Sequence, residues 1–170
     1  MAVNERLFPN YGQHIVFAAL STDGAGLGKY GAVAVTWNVS PHYLGRRATL
    51  LEENSYVIYE RYELGALRGP GPPLGFRAVW EDRKWLVVAK IEPSLTTATP
   101  GSSLPRLVLS SGVSKMDDTY VEVTIYADDE GLDTLDVAGV KALKVFADAD
   151  ETLAWAHVQE ACKRRGVPSS

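Results

Sequence analysis

The apolar positions change period several times along the chain, and each change marks an element. Gln13 to Leu20 and Gly31 to Val39 are apolar runs rich in β-branched and aromatic residues, separated by Ser21 to Tyr30, where Asp23-Gly24, Gly26 and Gly28 interrupt the pattern. Two strands joined as a hairpin by a glycine loop are expected there. Arg47 to Tyr62 contains two shorter strand candidates, Ala48 to Leu51 and Tyr56 to Tyr59, around the turn-forming Glu52-Glu53-Asn54-Ser55. Leu67 to Gly75 reads LRGPGPPLG, and its prolines and glycines exclude regular structure, which predicts an exposed loop. Phe76 to Trp80 and Lys84 to Ile91 flank Glu81-Asp82-Arg83 and suit a second hairpin. Pro93 to Pro105 is a Ser/Thr/Pro-rich connection, and Arg106 to Ser110 fits either a short strand or a helical turn.

The clearest alternation runs from Thr119 to Ala127. Thr119, Val121, Val123 and Ile125 fall on one face, and Tyr120, Glu122, Thr124 and Tyr126 on the other. One face is expected in the core and the other to be polar and aromatic. After Asp128-Asp129-Glu130-Gly131, a helical turn over Thr134 to Val140 and a strand over Ala142 to Phe146 are expected. From Asp150 to Arg165, Leu153, Ala154, His157, Val158, Ala161 and Cys162 recur at helical spacing. Asp148 or Asp150 can cap that helix, Lys163, Arg164 and Arg165 suit its negative end, and Gly166 and Pro168 stop it. Many strands with one well-marked helix predict a single α+β domain. Its sheet is mostly antiparallel or mixed, of about six to eight strands, with a C-terminal α-helix packed on it.

Composition narrows the functional classes. The chain has 170 residues, 46% of them hydrophobic and 22% charged, which is the balance of one ordinary globular domain and not of a disordered chain. A net charge of −4 argues against nucleic acid as the main partner, because phosphate binding needs a surplus of Lys and Arg. Apolar runs fall short of the roughly 18 residues of a membrane span, so no membrane partner is expected. Met1 to Asn10 carries Glu5, Arg6 and Pro9 where a signal peptide has its apolar core, which predicts a cytoplasmic protein or an effector delivered without a cleavable signal. A lone cysteine, Cys162, with His14, His42 and His157 scattered, gives no metal-ligand spacing, so no metal is expected.

Among residues able to carry chemistry, Glu122 stands out. It sits mid-strand with Tyr120 and Tyr126 on its own face and apolar residues on the other, and a carboxylate there is costly unless it lines a cleft or faces water. Both environments fit the pattern, the second being simply the solvated face of a half-exposed strand. The segment Asp117-Asp118-Thr119-Tyr120-Val121-Glu122-Val123-Thr124-Ile125-Tyr126, followed by Leu135 to Val140 and a strand, resembles the catalytic strand of bacterial mono-ADP-ribosyltransferases. In that family a strand near the C-terminus presents a glutamate to the nicotinamide ribose of NAD+, often with Glu or Gln two residues earlier. Tyr120 stands at that earlier position here and Thr124 two residues after. The resemblance implies that Glu122 is catalytic and stabilises the oxocarbenium-like ribose formed as nicotinamide leaves.

It implies further that NAD+ is the substrate, with ADP-ribose transferred to a protein target, as in a toxin or effector domain, or NAD+ hydrolysed. Tyr120, Tyr126 or Tyr56 would stack on nicotinamide, and one of Arg46, Arg47 or Arg77 would hold the pyrophosphate. The family's early Arg or His has only His14 as a counterpart on the first strand. Ser21-Thr22 and Ser55-Tyr56 are the candidates for its middle Ser/Thr motif.

Arg46-Arg47 also reads as a solvated or ion-paired couple. The loop Asp23 to Tyr30 lacks the Gly-Lys-Ser/Thr order of a phosphate loop and reads as a hairpin connection. The paired acids Glu52-Glu53 and Asp117-Asp118 read as solvated turn residues. A second functional class stays open. Trp80, Arg83 and Trp85, with the LRGPGPPLG loop, suit the partner surface of a non-catalytic interaction domain of the immunity or adaptor kind, and the two tryptophans equally fit the competing reading of one packed in the core and the other at the rim. The catalytic reading expects a concave pocket with Glu122 at its floor. The interaction reading expects a flat apolar patch around the two tryptophans.

Overall fold

A computed structural model of the chain describes residues 7–8, 12–30, 33–37, 41–63, 77–110, 112, 117–126, 140–145, 156–157, 159–160, 163–164 and 166. The elements in chain order are β1 (Ile15–Ala19), β2 (Val33–Trp37), α1 (Pro41–Arg47), β3 (Ala48–Leu51), α2 (Ser55–Arg61), β4 (Arg77–Val79), α3 (Arg83–Ile91), α4 (Leu104–Val108), β5 (Leu109–Ser110), β6 (Thr119–Tyr120), β7 (Glu122–Tyr126) and β8 (Val140–Val145). Short 3-10 turns punctuate the loops, one of them at Gly28–Tyr30 and another at Trp80–Asp82. The protein is an α+β fold whose strand pairs among the described residues are all antiparallel.

The central sheet has four strands in the order β1-β7-β3-β4, and separate two-stranded sheets pair β2 with β8 and β5 with β6. Register places Ala19 and Leu51 on either side of Glu122, and Ala18 and Leu50 on either side of Val123. On one face of the sheet Ala48, Leu50, Val121, Val123 and Ile125 pack with Leu44 of α1 and Leu86 of α3. On the other face Leu51 packs with Ile58 of α2. Helices therefore cover both faces, and β7 is buried along four of its five residues. Leu50 has no exposed surface. Its replacement by Ala is expected to cost about 2–5 kcal/mol in a urea unfolding curve, because a cavity opens between two helices and the sheet.

Four expectations from the sequence are corrected. The runs around the glycine loop form strands, but they are not a hairpin, since β1 joins the central sheet and β2 pairs with β8. The loop between them has its own local bonding, with Ser21 Oγ accepting from the Gly24 amide at 2.8 Å and Asp23 Oδ1 from the Ala25 amide at 2.9 Å. Left-handed Gly24 and Gly26, at φ 73° and 68°, turn the chain away from a tight return. Tyr56 to Tyr59 lies in helix α2, because Asn54 caps it, its Oδ1 accepting from the Tyr56 amide at 2.8 Å. Lys84 to Ile91 lies in helix α3 instead of a second hairpin. Leu86 is buried there while Trp85 and Val88 face outward, and Glu81 and Asp82 precede the positive end while Lys90 sits at the negative one.

Lastly, the strand from Thr119 is interrupted at Val121, whose carbonyl accepts from the Leu20 amide at 2.9 Å, and of its polar face Tyr120, Glu122 and Thr124 are buried while Tyr126 is exposed. Arg106 to Ser110 turns out to hold both alternatives, the end of α4 and then β5. Val140 begins β8, which extends through the Ala142 strand candidate as far as Val145. The LRGPGPPLG loop, the rest of the Thr134 helical turn and most of the C-terminal helix lie outside the described residues. Residues 156, 157, 159, 160, 163 and 164 are helical and exposed, His157 among them.

Candidate functional site

Glu122 opens β7 beside the end of β1, so its side chain leaves the sheet on the face that carries α2. The N-terminus of α2 meets it. Glu122 Oε2 accepts from the Ser55 amide at 3.1 Å and from Ser55 Oγ at 3.2 Å. Glu122 Oε1 is buried without a hydrogen-bond partner among the described residues, and the whole residue is 4% exposed. Burial pushes the carboxyl up to about 7, against the two Ser55 hydrogen bonds, which favour the charged form. A carboxylate held by one oxygen, with the other left unpaired, is an arrangement that stability alone does not select.

A polar cluster borders the same corner. Tyr120, 6% exposed, donates to the Tyr30 hydroxyl at 3.3 Å, and the two rings meet edge to face with centroids 5.8 Å apart. Asn54 Nδ2 donates to the same hydroxyl at 2.9 Å, so the residue that caps α2 also anchors the end of the glycine loop. Lys29 Nζ pairs with Asp118 Oδ1 at 3.2 Å, and the Asp118 side chain has no exposed surface. The Gly112 amide donates to that oxygen at 3.0 Å, and Asp118 Oδ2 is buried without a hydrogen-bond partner among the described residues. Burial, assisted by the Asp118 charge, holds the Tyr30 phenol above its ordinary range, and burial holds that of Tyr120 well above it. Asn54→Ala is expected to destabilise by about 1 kcal/mol through the lost cap. It also removes one hydrogen bond from the Tyr30 hydroxyl, so the ultraviolet titration of the tyrosines should change with it.

Of these groups Tyr30, Tyr120 and Glu122 border a cavity of about 610 Å³, within the range of small-molecule sites. Ala18, Leu20, Tyr30, Trp37, Leu44, Trp80, Tyr120 and Glu122 are among its lining residues. Glu122 is the one charged side chain among the described residues that line it. Its lining includes Glu122, from the face that carries α2, and Leu44, Trp80 and Val123, from the opposite face of the sheet.

The residues singled out from the sequence separate into two groups. Glu122 and Tyr120 border the cavity, and Ser55 holds Glu122. Thr124 is buried against Thr49, the two hydroxyls 2.7 Å apart, and does not line it. Tyr126 is 37% exposed with its ring edge-on to His14 at 6.0 Å, and Tyr56 is 46% exposed on α2. Arg46 is exposed and Arg47 half-buried in the last turn of α1, and Arg77 is exposed on β4, the strand at the far edge of the sheet from β1. None of these five lines the cavity.

Tyr30, Asn54, Lys29, Trp37 and Asp118 had no functional signal in the sequence. Asp118 is also a correction, since a turn aspartate expected in water proves buried. The two tryptophans part company. Trp80 packs on the core and borders the cavity under the Arg83 guanidinium, 4.6 Å from the ring centre, while Trp85 is 62% exposed on α3. Among the described residues no cluster of three or more His, Cys, Asp or Glu is placed to hold a metal, and no helix is long and apolar enough to cross a membrane.

Fold and site together define an α+β protein with a buried, half-satisfied carboxylate at the wall of an aromatic cavity. No protein-family model, curated protein or solved structure matches the chain.

Proposed function

We propose that the protein binds the nicotinamide-ribosyl end of NAD+ in this cavity and transfers ADP-ribose to a protein acceptor or to water. The observation that carries the reading is Glu122, a carboxylate fixed by Ser55 with its second oxygen unpaired beside an aromatic cavity. It supports the resemblance of the β7 segment to the catalytic strand of mono-ADP-ribosyltransferases. Ser55 supports it too, as the middle-motif candidate that contacts the glutamate.

The charge of the lining chooses which end of NAD+ enters. With one carboxylate and no Lys or Arg among its described residues, the cavity disfavours a pyrophosphate and favours a cationic ring with ribose hydroxyls. In the reaction the bond between ribose C1′ and the nicotinamide nitrogen breaks, and its electron pair leaves with neutral nicotinamide. Positive charge then develops on the ribose beside Glu122, where a pre-placed anion is worth several kcal/mol, on the order of an oxyanion-hole donor. Water or an acceptor nucleophile adds to C1′ and gives up a proton, for which the carboxylate is the base.

Calorimetric titration with NAD+ and with ADP-ribose tests which end is bound. NAD+ is expected to bind at least about tenfold more tightly, since ADP-ribose lacks the cationic ring. Equal affinities would place recognition on the pyrophosphate and adenosine, away from Glu122.

A second reading, an interaction domain, is favoured by Trp85 and Val88, 62% and 50% exposed on α3. Trp80 no longer contributes to it, because it borders the cavity. Trp85→Ala separates the two, since it leaves NAD+ binding unchanged and removes the centre of any partner surface.

A further inference from the structure

β1 is an edge of the central sheet. In the order β1-β7-β3-β4 it pairs with β7 on one side, and no described strand pairs with it on the other. The phase of that ladder decides which backbone groups stay free. The Leu20 amide donates to the carbonyl of Val121 directly opposite, so by the alternation of an antiparallel ladder Ala18 and Val16 bond to Val123 and Ile125. Phe17 and Ala19 therefore turn their N–H and C=O groups outward, away from β7. Neither has a further hydrogen-bond partner among the described residues.

The cavity meets β1 along that edge. Successive side chains of a strand point to opposite faces, so a cavity lying on one face is lined by alternate residues. Here Phe17, Ala18, Ala19 and Leu20 all line it, as do four consecutive residues of β2, 34–37, which belongs to a separate sheet. All five residues of β1 keep some exposed surface, whereas four of the five in β7 are buried.

We propose that the outer edge of β1 receives an extended, uncharged segment of a partner polypeptide, which adds to the central sheet as a further strand. Polypeptide main chain is the occupant whose chemistry matches. Outward N–H and C=O groups that recur about every 7 Å need acceptors and donors at the same repeat. The walls set the side chains of the segment. Phe17, Leu20, Leu27 and Val35 suit apolar or β-branched residues, and with Glu122 the one charge among the described lining an acidic segment is disfavoured. Edge strands are ordinarily protected from pairing by a charge, a proline or a bulge, and Ile15 to Ala19, reading IVFAA in unbroken register, has none of the three. The pairing goes beyond the NAD+ reading. That the segment belongs to the acceptor rests on that reading, since Ala19, which the added strand would meet, lies opposite Glu122.

Hydrogen exchange of the whole chain, read residue by residue in ¹H–¹⁵N spectra, tests the edge first. The Val16, Ala18 and Leu20 amides are expected to exchange at least about tenfold more slowly than those of Phe17 and Ala19. The blocked peptide acetyl-Thr-Val-Thr-Val-Thr-amide is then expected to slow Phe17 and Ala19 and move their signals downfield, with Val16 and Ala18 left in place. The same peptide N-methylated at every amide cannot donate and is expected to move neither. Ala19→Pro removes an outward N–H and no bond to β7, so it is expected to weaken the peptide about fivefold in a chain that still folds. Equal exchange along β1 in the free protein, equal shifts from the methylated peptide, or no shift from either peptide would overturn the proposal. Slowing of Phe17 and Ala19 that grows with protein concentration, together with a dimer in sedimentation, would assign the edge to a second copy and overturn the partner segment. Nicotinamide release does not use this edge, so its absence counts against the NAD+ reading alone.

Discussion

Glu122→Gln is expected to make the protein more stable above pH 7 and no more stable at about pH 4. The amide keeps an oxygen for the Ser55 amide and hydroxyl, which now donate to Glu122 Oε2, and removes the charge that burial penalises. The folded carboxyl titrates at about 7 and its ordinary value is 4.5. Between those values the folded state binds more protons than the unfolded one, so the stability of the natural protein falls as pH rises through that window and levels off above it. Glutamine does not titrate, so the variant's advantage grows over the same window to about 3 kcal/mol. Urea unfolding of both proteins from pH 4 to pH 8 measures it. A constant difference across that range would mean that Glu122 titrates like an exposed acid. A residue whose removal stabilises the fold while activity is lost is kept for its chemistry.

Lys29→Met is expected to act in the opposite direction, with a loss of about 3 kcal/mol. Lys29 is 26% exposed by its side chain and its partner Asp118 is fully buried, so removing the ammonium leaves a buried carboxylate supported by the Gly112 amide among its described contacts. Asp118→Asn is the milder change, because a neutral amide needs no counter-charge and its oxygen still accepts from Gly112. The effect reaches the site through the chain. Lys29 and Tyr30 are adjacent at the end of the glycine loop, and Tyr30 meets Asn54 and Tyr120 beside Glu122. Guanidinium and thermal unfolding of the two variants check the order, and a loss under about 0.5 kcal/mol for Lys29→Met would show the pair to behave like a surface ion pair.

The period-two alternation at Thr119 to Ala127 made β7 and its apolar face legible, and the run at Ala48 to Leu51 made β3 legible, because both are signals carried within a few neighbouring residues. The same local logic misplaced Tyr56 to Tyr59 and Lys84 to Ile91. Aromatic and β-branched residues favour strands, but a cap at Asn54 in one case, and in the other a single buried position, Leu86, beside exposed neighbours, favoured helices that close the two faces of the sheet. That coverage is also why Glu122 is buried and not solvated. The unusual place of Glu122 was visible as a carboxylate between tyrosines, and Ser55 was visible as a candidate residue.

The rest of the site was not legible. Lys29 and Asp118 lie 89 residues apart and Tyr30 and Tyr120 lie 90 apart, so their pairing depends on the order of strands, which no local pattern encodes. Trp37 reads as the end of an apolar strand, and its place in the cavity lining becomes visible only when its neighbours are in place.

The most direct measurement is nicotinamide release from NAD+ by the natural protein and by Glu122→Gln across pH 5 to 9. Release by the natural protein is predicted to rise with pH through about 7 and then level off, as the carboxyl ionises, and to fall by about a hundredfold or more in the variant. Release by the variant at the natural rate, or no release by either protein, would contradict a catalytic Glu122.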